Sequence, residues 1–179
     1  MVRLLVAAGL FAGESLADEL AFIRHFHHHP RNLLLHHLGF PLTLLGALVL
    51  ASSVSIAGVP GHVVLAVLYT LGFLALDRLV GLGYALVFVL LGGAVSWIRA
   101  RGGGWPIGLG LLLTGGATQV LGHVIYERAL PAFRAFEALF TTPFYLLLTI
   151  YMRLGYRPGL EREIEALRPR WAGAGRRLG

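Results

Sequence analysis

Four apolar stretches, at about 33–57, 61–76, 79–98 and 105–126, fill the middle of the chain. They constrain the fold more than any other feature. Roughly twenty apolar residues in a row make a helix long enough to cross the hydrocarbon of a bilayer, and a helix satisfies its own backbone hydrogen bonds there. Gly58-Val59-Pro60-Gly61, Asp77-Arg78 and the loop 99–104 punctuate the stretches, because turn formers and charges coincide at each. A fifth apolar piece, 139–152, is too short for a comfortable crossing and reads as a re-entrant or interfacial helix.

With 56% hydrophobic and 13% charged residues in 179, the chain is too apolar for a soluble domain of its size. The expected fold is an all-α, polytopic membrane helical bundle of about four transmembrane helices plus an N-terminal amphipathic helix. That helix is predicted over about 15–28, with Ser15 as N-cap and Asp18 near its positive end. Residues 1–12 resemble a signal peptide superficially but show no convincing cleavage site, so they read as retained. A single membrane domain is expected, with an extension at 1–14, a core at 15–158 and a basic cytoplasmic tail at 159–179.

All fifteen basic residues are arginine. With four crossings and a cytoplasmic N-terminus, thirteen of them fall inside and only Arg99 and Arg101 outside, which obeys the positive-inside rule. The expectation is an integral protein of a bacterial inner membrane, with both termini cytoplasmic. Its basic charge faces anionic lipid in the bilayer rather than nucleic acid. The absence of cysteine excludes thiolate metal sites and a cysteine nucleophile, so any metal is held by nitrogen and oxygen.

Two polar clusters interrupt the apolar pattern. The first is His27-His28-His29-Pro30-Arg31-Asn32, followed by His36 one turn into the first span; the second is Gln119, His123 and Glu127 at four-residue spacing. Pro30 suits the first turn of a helix. Asn32 and His36 then share a face, His37 is turned by about 100°, and His27 must fold back to join them. The arginine-based orientation puts both clusters at the cytoplasmic surface, and leaves His62 outside as a solvated imidazole. An unpaired polar group inside a span is costly, so a shared partner is the economical explanation for His36 and His123.

Three convergent imidazoles with an open position make a catalytic metal site, whereas His25 and His29 read equally well as a solvated collar. Glu127 can ligate the metal, orient His123 from behind, or pair with Arg128 or Arg134. Asp77 reads as an interfacial charge paired with Arg78. The 24 glycines fit close helix packing in lipid, and Gly102-Gly103-Gly104 lacks the setting of a phosphate loop.

The pattern His27-x-x-Pro30-x-Asn32-x-x-x-His36-x-x-Gly39-x-Pro41, followed by Gln119-x-x-Gly122-His123-x-x-x-Glu127-x-x-x-Pro131-Ala132, resembles the small membrane family of fungal and bacterial 2-hydroxy fatty acid dioxygenases. The resemblance spans roughly 15–160. It implies an iron(II)-dependent, Fe(2+)-containing enzyme that uses molecular oxygen to shorten a 2-hydroxy fatty acid by one carbon. It also implies His27, His36 and His123 as metal ligands and Asn32 and Glu127 as catalytic polar positions. Where family members usually carry Asp-Asn shortly after Pro-Ala, this chain has Ala135-Phe136, which bears on substrate identity. Two alternatives stand beside this reading. One is a di-iron lipid hydroxylase, for which His25-x-x-x-His29 matches one histidine box but no His-x-x-His-His follows. The other is a non-catalytic membrane lipid-binding or scaffold protein.

Overall fold

The computed structural model describes residues 1–131 and 134–173. Ala132 of the Pro131-Ala132 motif, and Arg176 and Arg177 of the tail, lie outside the described residues. In chain order the helices are α1 (Val2–Ala7), α2 (Leu16–Phe26), α3 (Pro30–Ala51), α4 (Gly61–Leu76), α5 (Arg78–Ala100), α6 (Trp105–Gly122), α7 (Thr142–Arg153) and α8 (Pro158–Leu167). A two-residue hairpin, β1 (Ser55–Ile56) and β2 (Val59–Pro60), separates α3 from α4. Wide π-turns cover His123–Glu127 and Glu137–Thr141, and a 3₁₀ turn covers Arg168–Trp171. The protein is thus an all-α membrane bundle that divides into two compact units, Met1–His36 with Val120–Gly179, and His37–Gln119.

The second unit carries most of the apolar sequence. α3, α5 and the helix continuing through Trp105–Glu127 are long and apolar enough to cross a membrane, while α4 is a shorter apolar helix of 16 residues. Large apolar side chains such as Val67, Leu68, Leu82, Leu86, Val89 and Leu113 stand exposed on α4, α5 and α6, the pattern of helices solvated by lipid. Asp77 turns the chain between α4 and α5, its carboxylate accepting from Leu79 N and Val80 N as N-cap of α5. α3 and α6 approach at glycines. A Cβ on Gly46 would lie 2.5 Å from Leu112 N, and one on Gly115 would lie 2.4 Å from Gly39 O, so only hydrogen fits.

The first span ends at Ala51, six residues before the expected end at 57. The hairpin is the reason: Ala57 and Gly58 both take positive φ, 50° and 82°, the pair that a tight two-residue turn needs. α2 starts as expected, with Ser15 Oγ accepting from Asp18 N at 3.1 Å.

In the first unit α2 lies at the centre, burying Leu20, Ala21, Phe22, Ile23 and Phe26, and packs with α7 and α8. The short apolar piece expected to be re-entrant or interfacial is α7, whose Phe144, Tyr145, Leu148 and Met152 are buried within this unit. Residues expected to be a basic tail instead fold back as α8 and its 3₁₀ turn. Leu160 and Ile164, one turn apart, face inward. Arg24 Nε meets Glu165 at 2.6 Å, and Trp171 Nε1 donates to Asp18 Oδ1 at 3.1 Å.

Candidate metal centre

The centre is assembled where α2 stops, α3 starts and α6 loosens into its π-turn. His27 is the C-cap of α2, and its Nδ1 lies 2.8 Å from Ile23 O, satisfying one of the carbonyls that a helix end leaves open. Pro30 opens α3, as its fixed φ and missing N–H favour. His36, two turns on, places Nδ1 3.0 Å from Asn32 O. His123 is the first residue of the π-turn and points inward.

These three imidazoles meet. Each offers a nitrogen within 4.8 Å of the others, and all three side chains are buried. Ring centroids are 4.4 Å apart for His27 and His36, 4.7 Å for His27 and His123, and 4.8 Å for His36 and His123, with the planes close to perpendicular. Stacked rings would bury faces, whereas edge-on rings turn nitrogens toward a common point. His27 and His36 donate Nδ1–H to backbone carbonyls, which fixes the tautomer with Nε2 as the lone-pair donor, the arrangement typical of metal-bound histidine.

The donor set fits a transition metal. His27 Nε2 and His123 Nδ1 are buried without a hydrogen-bond partner, a costly condition for a polar atom unless another ligand satisfies it. An ion about 2.1 Å from each nitrogen requires them about 3 to 3.5 Å apart, a small contraction of the observed group. His27 is held well below the ordinary imidazole range by burial and then by His36 and His123, with its bond to Ile23 opposing weakly. It is therefore neutral and available as a ligand at neutral pH.

Asn32 is fully buried, and its Nδ2 donates to Phe26 O at 3.1 Å and to Glu127 Oε1 at 3.0 Å. Both partners are acceptors, so the amide orientation follows from them. Glu127 Oε1 also accepts from His29 N at 2.8 Å. His28 Nδ1 lies 2.7 Å from Glu127 Oε2 and 3.0 Å from His25 O. Glu127 stands outside the group of ligand atoms, and its hydrogen bonds run to the start of α3 rather than to His123.

Through Asn32, Glu127 meets the helix that carries His36, one turn before that histidine. Hydrogen bonds from i to i+5 make the π-turn wider than an α-helical one. Gln119 Nε2 donates to Thr43 Oγ1 at 3.0 Å and to Gly115 O at 3.2 Å. Two residues with no assigned role also belong to the site's surroundings. A Cβ on Gly122 would lie 2.4 Å from Asn32 Oδ1, and Tyr126 stacks on His29 at 5.2 Å with Arg31 5.8 Å from its ring centre. Spacing could single out Gly122, which precedes a site histidine, but nothing in the sequence marks the close approach.

A family model described as 2-hydroxy-palmitic acid dioxygenase Mpo1-like matches residues 13–154. The chain belongs to the Mpo1-like family. Among curated proteins, the 2-hydroxy-palmitic acid dioxygenase MPO1 of Saccharomyces cerevisiae is 28% identical over 159 residues, covering 86% of this chain and 91% of the relative. No solved structure matches. The Mpo1-like match contains all three histidines with Asn32 and Glu127, and ends before α8 begins.

Proposed function

We propose that this Mpo1-like chain is an iron(II)-dependent dioxygenase that converts a 2-hydroxy fatty acid and molecular oxygen into the one-carbon-shorter fatty acid, carbon dioxide and water. The observation that carries this reading is the buried trio His27, His36 and His123, with two partnerless nitrogens, in a chain of that family. The reaction balances without another reductant. Oxidative loss of the carboxyl carbon releases four electrons, and one oxygen molecule takes up four.

His27, His36 and His123 are the residues that would hold the metal. When bound, ferrous iron supplies the redox-active centre at which oxygen and the α-hydroxy acid head meet. The protein's own contribution is steric and electrostatic. Three nitrogen ligands leave coordination positions for substrate, the carbonyls of Ile23 and Asn32 hold the imidazoles in orientation, and burial keeps bulk water from the site. A di-iron reading lacks ligands, since among the described residues these histidines form the one group of three or more able to hold an ion.

The positive-inside split of the arginines supports a bacterial inner-membrane protein with both termini and the metal centre cytoplasmic. Purification under anaerobic conditions from iron-replete cells, followed by metal analysis, tests the cofactor. One ferrous iron per chain is expected; an iron-free protein that gains no activity on ferrous reconstitution would remove the dioxygenase reading.

A further inference from the structure

We propose that Glu127 is the positioning residue of the metal centre, a carboxylate strap that ties the segment bearing His27 and His36 to the turn bearing His123; the proposal rests on the metal-centre reading above. The Glu127 side chain is 2% exposed, and a carboxylate so buried requires compensating donors. It finds them at the beginning of α3, where backbone N–H groups lack helical partners and the helix dipole is positive. His29 N and Asn32 Nδ2 both donate to Oε1, at 2.8 and 3.0 Å.

Each donor leads to a ligand. His29 is two residues from His27, and Asn32 Nδ2 also holds Phe26 O, directly before His27. The backbone carbonyl of Asn32 receives Nδ1–H of His36. On the other side, Glu127 closes the π-turn that His123 opens, and Arg128 N–H bonds back to His123 O. One carboxylate thus sets the spacing of three imidazoles while standing outside the group of ligand atoms. Asn32 is its coupling partner, seated against Gly122, whose missing side chain lets the amide approach.

A strap, a ligand and a purely structural carboxylate predict different metal binding. The full-length protein in detergent is titrated with cobalt(II), read by d–d absorption, alongside Glu127→Gln, Glu127→Asp, Asn32→Ala and the Asn32→Ala/Glu127→Gln double variant. Thermal melts of the metal-free proteins identify the range in which each is folded. Glu127→Gln is expected to bind cobalt about ten- to a hundredfold more weakly with unchanged band positions, because the ligand set is intact. Glu127→Asp, which keeps the charge but shortens the reach, should fall between it and wild type. The double variant should bind no more weakly than the weaker single variant, since both changes cut the same connection. Folded Glu127→Gln within about twofold of wild-type affinity would overturn the strap, as would shifted bands, which would make Glu127 a ligand. Should Glu127→Gln fail to fold, the Glu127→Asp and Asn32→Ala titrations decide, and wild-type affinity in both overturns the strap. Wild-type protein that takes up neither cobalt nor iron would overturn the metal-centre reading itself and the strap with it.

Discussion

Gly122→Ala pits helix propensity against one contact and has opposite signs under the two. Gly122 has φ −55° and ψ −47°, so alanine fits its backbone without strain. In an ordinary helix the change gains up to about 1 kcal/mol. Here the new Cβ would sit 2.4 Å from Asn32 Oδ1, and relief requires the amide to retreat by about 1 Å. Asn32 has no slack: it is fully buried and bonded to Phe26 O at 3.1 Å and Glu127 Oε1 at 3.0 Å, and such a retreat takes both beyond hydrogen-bond range. Losing a neutral bond of about 1 kcal/mol and a charged one of about 2 outweighs the propensity gain, for a net destabilisation of about 2 kcal/mol.

Gly116→Ala on the same helix is the control, because a Cβ there meets nothing within 4 Å. Denaturant unfolding in detergent should rank the proteins with Gly116→Ala at or above wild type and Gly122→Ala below it. Cobalt affinity should fall about tenfold or more for Gly122→Ala alone. If Gly122→Ala proves as stable as Gly116→Ala and binds cobalt like wild type, the packing of Asn32 is not what organises this site.

Replacing His27, His36 or His123 singly by alanine should abolish iron retention while leaving the helical circular dichroism intact; full iron occupancy in any one variant would remove that residue from the ligand set. Glu137 makes stability depend on pH, because burial, then Glu19, push its carboxyl from 4.5 up to about 8 against the pull of Arg134. The stability linked to its protonation is fully present below about pH 4.5 and lost as pH rises through about 8, a change on the order of 5 kcal/mol. Unfolding measured from about pH 6 to about pH 9 should therefore decline less steeply for Glu137→Gln than for wild type, and identical slopes would contradict the burial argument. Reporter fusions at Gly104 and Gly179 should report opposite sides of the membrane, whereas a shared side would break the arginine-based topology.

The parts of the fold that were legible in the sequence are those where one strong physical term dominates. Apolar runs located α3, α4, α5 and α6 because lipid tolerates little else, and Ser15 and Pro30 marked helix starts because capping and a fixed φ suit those positions. Histidines inside apolar runs are expensive alone, so His36 and His123 were expected to meet, and the structure brings them together with His27. What was illegible depends on small backbone changes. The π-turn at His123–Glu127 has no residue signature, and Ala57 at positive φ moved the end of α3 from 57 to Ala51. The basic tail became α8 because Leu160 and Ile164 supply an inward stripe between the charges.

Single-turnover oxidation of carboxyl-labelled 2-hydroxypalmitate by anaerobically purified, ferrous-loaded protein, started with a measured amount of oxygen, tests the central claim most directly. The account predicts pentadecanoic acid and labelled carbon dioxide in equal amounts, one of each per oxygen consumed, with no added reductant. Iron-loaded, folded protein that leaves 2-hydroxypalmitate and a series of 2-hydroxy acids of other chain lengths unchanged, or a product that retains the labelled carbon, would contradict it.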